Sequence, residues 1–327
     1  MKYLAVVFFS CFVNCAELIP NFNGHEYFES GVSRRVRRLV DGKPAVLGQF
    51  PGQISLQKAA GYPSDKSHFC GGYLIHERHV LTTAECVTTK NGSPFDPSFF
   101  VLVGDDLTTF PVSSTRQARN ASNVFIHPGF HSNVRYGAQD LQIETINHYD
   151  IAVMRTSEPF IRTDTFFPVA KIDVIPNAGE ECGIAGWGST REGGPYSQEL
   201  LQITISIIDK KKCNEYYNGQ IGDGMFCAGF LSAERDICDG DIGGGLICKN
   251  LVAGTAAWAK ECETPNKPGI YIDIPWFNTW IEEKINQNTD VTEAPGSIGS
   301  IGSTMNVLSF NLSVVCIFLL LTLSHHQ

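Results

Sequence analysis

Between residues 49 and 81 apolar and polar side chains alternate in short runs, Gln53-Ile54-Ser55-Leu56, Gly72-Tyr73-Leu74-Ile75 and His79-Val80-Leu81, separated by Gly, Pro and Asp. A two-residue repeat places successive side chains on opposite faces of a strand, and the breakers turn the chain back, so antiparallel strands are predicted. Near the end the period changes. Phe277, Trp280, Ile281 and Ile285 fall at i, i+3, i+4 and i+8, which lines one face of a helix over Pro275 to Asn286. Two stretches obey neither rule. Tyr3 to Val13, behind Lys2, is an apolar run opening onto small residues, and it predicts a secretory signal peptide over residues 1–15. Val307 to Leu323 is a second apolar run, reached through a Gly- and Ser-bearing linker at 287–306.

That second run is 17 residues long, is interrupted by Ser309, Asn311 and Ser313, and has no basic flank behind it. A membrane span needs about 20 apolar residues. Small residues, a polar spacer and a terminal apolar run fit better the signal for a glycosylphosphatidylinositol anchor, attached near Ser297 or Gly299 or at Gly302-Ser303. A true span is the alternative, and either way the C-terminal region 307–327 is read as a membrane anchor signal.

Composition sharpens this picture of an exported chain. With 327 residues, 43% of them hydrophobic and 18% charged, the chain can bury a large core in one or two domains. The formal charge is −9, and residues 1–38 carry more Lys and Arg than Glu, so the remainder is more acidic still. Such a balance argues against nucleic acid as a partner. Of the 11 cysteines, Cys11 and Cys15 lie in the leader and Cys316 in the tail, which leaves eight for a disulfide framework in an oxidising compartment. No metal-ligand cluster is visible and no cofactor is implied. Asn91-Gly92-Ser93 and Asn120-Ala121-Ser122 are glycosylation sequons, which place Asn91 and Asn120 at the surface.

Five short motifs carry the chemistry. Gly240-Asp241-Ile242-Gly243-Gly244 follows Asp236-Ile237-Cys238-Asp239; Leu81-Thr82-Thr83-Ala84-Glu85-Cys86 follows Cys70; then come Asp150-Ile151-Ala152-Val153, Cys182-Gly183-Ile184-Ala185-Gly186-Trp187-Gly188 and Leu39-Val40-Asp41-Gly42. Taken in chain order they resemble the chymotrypsin-like (trypsin-type) serine protease family over residues 39–286. The resemblance implies an all-β fold of two antiparallel six-stranded barrels with a C-terminal helix and a site in the cleft between them. It also implies the disulfide pairs Cys70–Cys86, Cys182–Cys248, Cys213–Cys227 and Cys238–Cys262, one choice among the roughly 100 pairings eight cysteines allow.

Departures from the family pattern decide the functional expectation. Ile242 stands where the family carries its nucleophilic serine, and Glu85 where it carries the histidine base, while Asp150 keeps the place of the third member. A carboxylate with a reference pKa of about 4.3 is a poor base at neutral pH and cannot shuttle a proton as imidazole does. His76 and His79 lie outside the motif and read as ordinary strand or loop residues. Glu85 and Asp150 would face each other, and like charges at that range push one pKa up and favour a shared proton. Asp236, six residues before Ile242, and Gly269 match positions of a pocket for Arg or Lys; Asp236 either receives such a side chain or stands solvated. Ala257 lacks a hydroxyl that would support Asp150, and Ala259 adds a methyl where a ligand must approach the backbone. Gly240 is the remnant of the oxyanion hole.

The N-terminal segment completes the resemblance. Residues 16–38 lack cysteine and end in Arg34-Arg35-Val36-Arg37-Arg38, which looks like a site for a furin-type convertase. Cleavage after Arg38 would free Leu39 to pair its ammonium with Asp241 inside the protein. Loops at 87–99 and 134–148 exceed what the family needs and border its cleft. The expectation is a catalytically inactive homologue, secreted and held at the outer cell surface, that binds a protein or basic peptide as protease cofactor, decoy or adhesion module. Residual hydrolysis through Glu85 and Asp150, or a purely structural adhesion role, are the alternatives.

Overall fold

The computed structural model describes residues 42–59, 68–89, 92–108, 113–136, 143–191, 193–232, 237–259, 262 and 264–287, with backbone only at 132–136 and 143–146. The expected signal peptide and propeptide, Arg38, Leu39, Asn91, Asp236, most of the linker and the apolar tail lie outside these residues.

In chain order the strands are β1 (Lys43–Pro44), β2 (Gln53–Lys58), β3 (His68–His76), β4 (His79–Thr82), β5 (Phe100–Gly104), β6 (Gln117–Ile126), β7 (His131–Tyr136), β8 (Ile143–His148) and β9 (Ala152–Thr156). After them come β10 (Glu181–Gly186), β11 (Leu201–Ile208), helix α1 (Lys210–Tyr216), β12 (Met225–Gly229), β13 (Gly245–Cys248), β14 (Leu251–Trp258), β15 (Gly269–Asp273) and helix α2 (Ile274–Asn286). β2, β3, β4, β9, β6 and β5 close a first barrel. A second forms from β11, β10, β13, β14, β15 and β12, sealed by pairing of β12 with β11 and extended at one edge by β1. Every pairing between named strands is antiparallel.

Each barrel is filled by its own inward side chains. Ile54, Leu56, Leu74, Val80, Leu102 and Met154 fill the first; Ile184, Leu201, Ile203, Ile205, Phe226 and Tyr271 fill the second. Along β11 buried and partly exposed positions alternate, as a strand with one wet face requires. β2 behaves differently. Its polar positions Gln53, Ser55 and Gln57 are as buried as the apolar residues between them. The outer face of this strand is covered by protein; Ser55 and Gln57 find partners there, whereas the Gln53 side-chain amide has none among the described residues. A third cluster joins Leu81, Ile151 and Val153 of the first barrel to Met225, Ile270 and Ile272 of the second, and to Phe277 and Ile281 on the apolar face of α2.

The four disulfides pair Cys70 with Cys86, Cys182 with Cys248, Cys213 with Cys227 and Cys238 with Cys262, which is the set the resemblance implies. Two of them bracket the motif loops: one pins the turn at Glu85 against β3, the other pins the segment that leads to Asp241. Among the described residues no helix is long and apolar enough to cross a membrane.

Gly71 in β3 touches the loop at 241–244 so closely that a methyl there would meet the Gly244 backbone nitrogen at 2.7 Å and its Cα at 2.8 Å. No flexible side chain stands in the way, so the backbone itself would have to shift. Gly71→Ala is therefore expected to lower unfolding stability by about 1–3 kcal/mol in a urea titration, as overpacking of a tight contact does.

Candidate functional site

The loop between Cys238 and Gly245 is held from three sides. The Gly71 amide donates to the Ile242 carbonyl at 2.7 Å, the Gly243 amide donates to the Ala256 carbonyl at 2.7 Å, and the Asp241 amide donates to the Cys238 carbonyl at 3.0 Å. Gly240 and Gly243 adopt φ of 92° and 88°, the left-handed region that a side chain resists. Asp241 turns inward. It is 1% exposed, and its carboxylate accepts from the Gly188 amide at 2.9 Å and the Cys238 amide at 3.1 Å. A methyl at Gly186 or Gly188 would overlap that carboxylate, so the Gly-Trp-Gly motif is the berth that lets the charge sit there. Burial, the larger effect, lifts the Asp241 pKa to about 7 against the pull of the two amides.

His68 holds the other end of the loop. The Gly240 carbonyl can only accept, so the Nε2–H of His68 donates to it at 3.0 Å, and Nδ1, 2.8 Å from Ser55 Oγ, accepts from that hydroxyl. Both nitrogens are occupied, and burial pushes the pKa down to about 4, which keeps the ring neutral. It therefore positions the loop and is not placed to serve as a base. Trp187 and Tyr196 pack edge-on against it at 5.7 and 5.6 Å. Sequence reading missed His68; the signal was its position two residues before Cys70, on a strand facing the loop. His76 and His79 lie where the β3–β4 hairpin turns, with their Nδ1 atoms 3.2 Å from each other.

Glu85 opens a short 3-10 turn, Glu85–Val87, in which Cys86 is disulfide-bonded. Its backbone amide donates to Asp150 Oδ1 at 2.8 Å. The carboxylates of Glu85 and Asp150 do come together, but an amide stands between them: Asn147 Nδ2 donates to Glu85 Oε2 at 2.7 Å and to Asp150 Oδ2 at 3.3 Å. Asn147 arrives on β8, from the longer of the two extra loops. It supplies the donor to Asp150 that Ala257, which has no hydroxyl, does not. Asp150 is fully buried, and its pKa rises to about 7, first by burial and second by the Glu85 charge. Burial therefore outweighs the like-charge effect that the sequence alone suggests. Glu85 is exposed, yet its partial desolvation raises its pKa as well.

Ile242 is half-buried, with part of its side chain on a cleft and part on the cores. It packs against the filling of both barrels. Beside it opens a cleft of about 400 Å³ lined by Glu85, Ile242, Tyr196, Asp239 and a group of phenylalanines from the 87–99 loop and β3. Of the expected pocket residues, Ala259 packs partly buried against the second core and Gly269 is buried in β15. Asn120 is exposed on β6. Among the described residues no group of three or more His, Cys, Asp or Glu converges as a metal site would require.

Comparison with known proteins agrees with this geometry. The Trypsin family profile matches residues 39–281. The rat (Rattus norvegicus) protein named Transmembrane protease serine 11G is 32% identical over 286 residues, which span 83% of this chain and 60% of its own length. Pig (Sus scrofa) trypsin is 30% identical over 253 residues, covering 77% of this chain and 97% of its own. A solved structure titled "Neuropsin, a serine protease expressed in the limbic system of mouse brain" superposes with a TM-score of 0.62 at 27% identity, covering 75% of this chain and 99% of that one.

The buried carboxylates make stability depend on pH in a defined direction. A raised pKa in the folded state contributes stability that is complete below about pH 4 and is lost as pH rises through about 7. His68 and His79, both lowered to about 4, act in the opposite sense below about pH 6.5. The difference between wild type and Asp150→Asn isolates one group. Wild type should gain on the variant by up to about 1.4 kcal/mol per pH unit on acidification between pH 7 and pH 4. Paired thermal or urea unfolding across that window measures it; a pH-independent difference would mean Asp150 is not desolvated in the folded chain.

Proposed function

The chain belongs to the trypsin family, and from that membership we propose that it is a member that does not catalyse and instead acts by binding. One observation carries the reading: at the centre of a fold whose loop, disulfides and glycine berth are all in place, the two reacting positions are Ile242 and Glu85. A branched alkyl group has no lone pair with which to attack a carbonyl. The Glu85 carboxylate is bonded by the Asn147 amide, and Asp150 behind it is sealed from solvent. Loss of the nucleophile alone removes on the order of 10⁶-fold of the rate in enzymes of this mechanism. The Gly240 amide would stabilise an oxyanion only if one formed.

The rest of the proposal concerns place and processing. The apolar run at 307–323 and the relatives named as transmembrane proteases support a chain displayed outside the cell and attached to the membrane. Processing after Arg38 by a furin-type protease would free the Leu39 ammonium, whose charge would hold Asp241 ionised against its burial. In the trypsin-like pattern the positions of Asp236 and Gly269 receive a basic side chain, which makes a partner's Lys or Arg the ligand that pattern implies.

A second reading, hydrolysis by the carboxylate pair, draws on the elevated Asp150 pKa and the short bridge through Asn147. Burial of Asp150 counts against it, because a substrate must reach the acid that serves it.

Two variants decide between these readings. The purified protein is expected to leave arginyl and lysyl peptides intact between pH 4 and pH 8, while Glu85→His with Ile242→Ser gains measurable turnover. Turnover by the unmodified protein would overturn the proposal, and its loss in Glu85→Gln would assign that turnover to the carboxylates.

A further inference from the structure

The cleft beside Ile242 has walls that the loss of catalysis does not account for. Phe95 and Phe99 stack at 4.9 Å with an interplanar angle of 12°, and Phe69 meets Phe99 edge-on at 6.5 Å. All three are partly exposed, and together with Ile242 they extend the core of the first barrel to the surface as one apolar shelf. The shelf is built to keep its shape. Its loop is closed by hydrogen bonds from Phe95 N to Val87 O at 3.0 Å and from Thr89 N to Ser93 O at 2.8 Å, and Asp96 caps the turn that follows. Rigid aromatic groups held before binding lose little freedom when a ligand arrives. The volume, about 400 Å³, suits one large side chain with the backbone on either side of it.

The charges around the shelf are unequal. Among the described residues, Asp239 is exposed at one end beside Tyr196 and Glu85 stands on the wall, while one ammonium, Lys58, lies over the Phe69 ring at 5.8 Å. Two carboxylates and one ammonium, on a chain of net charge −9, favour a cationic visitor. Glu85 and Ile242 contribute doubly here. In place of a base and a hydroxyl, they give the cleft a negative wall and an apolar floor.

We propose that this cleft seats an extended segment of a partner protein that places an aromatic side chain on the Phe95 and Phe99 shelf and a neighbouring Lys or Arg against Asp239. The proposal deepens the binding role put forward above and rests on it. Partner segments with an acidic neighbour are disfavoured by Asp239 and Glu85, and segments without the aromatic group leave the shelf wet.

The test uses the full chain and three fluorescein-labelled hexapeptides, otherwise of Gly and Ser, carrying Trp-Lys, Trp-Glu or Ala-Lys at their centre. Anisotropy reads binding, and mass spectrometry of the same samples reads cleavage. Trp-Lys is expected to bind at least about tenfold more tightly than either other peptide. Phe95→Ala should weaken Trp-Lys by about tenfold, the usual cost of an aromatic anchor, with folding checked by circular dichroism. Asp239→Lys, which alters only an exposed side chain, should reverse the order of Trp-Lys and Trp-Glu. Equal binding of the three peptides, or affinities unmoved by both variants, would overturn the inference. Cleavage with the binding order intact would instead sink the non-catalytic reading and leave the occupant of the cleft as stated.

Discussion

A carboxylate that has no water around it organises this protein. Asp241 is enclosed by Gly186, Trp187 and Gly188, and the amides of Gly188 and Cys238 are its hydrogen-bond donors. To bring it inward, the chain must turn left-handed at Gly240 and again at Gly243. Those two turns point the Gly240 carbonyl at His68 and the Ile242 carbonyl at Gly71, both on β3 of the first barrel, while the Gly243 amide reaches Ala256 on β14 of the second, so both barrels take hold of the loop. The Cys238–Cys262 bridge secures the approach. Remove the inward carboxylate and the turns lose their cause, because neither is favoured by local sequence except through glycine's tolerance of positive φ.

What could be read from residues alone follows from what each signal depends on. Loop motifs and cysteine spacing are local, and the trypsin-like pattern supplied the rest, so the barrels, the four bridges and the positions of Glu85, Asp150 and Ile242 were legible. Asn147 was not. Its place between two carboxylates depends on how β7 and β8 register and on where their hairpin lies, which no short window contains. His68 and Ser55 were hidden for a related reason. Polar residues alternating with apolar ones look like a solvent face, but here that face of β2 is covered, and its hydroxyl is committed to the imidazole. The phenylalanine shelf needed tertiary contact to be seen, since Phe69 and Phe95 lie on different sides of Glu85 in the chain.

Two tasks can be told apart in this structure, positioning the loop and furnishing the groups at 85 and 242. Positioning is intact: bridges, glycine berth, buried acid and neutral histidine all persist. At 85 and 242 stand a carboxylate and a branched alkyl group, which contribute charge and shape. The replacements are coupled to their surroundings, because Asn147 satisfies the carboxylate that stands at 85 and links it to Asp150. Neither carboxylate is left unpaired, since each has found a donor.

Ile242 carries a consequence for any hydroxyl introduced at its position. Its side chain is shared by the fillings of two barrels, and a serine in its place would leave unfilled space beside each. Side chains that fit the branched alkyl group would have to close around a smaller, polar one. Packing thus opposes that change: a hydroxyl at 242 would enter against the contacts of two cores, even where the loop that carries it keeps its shape.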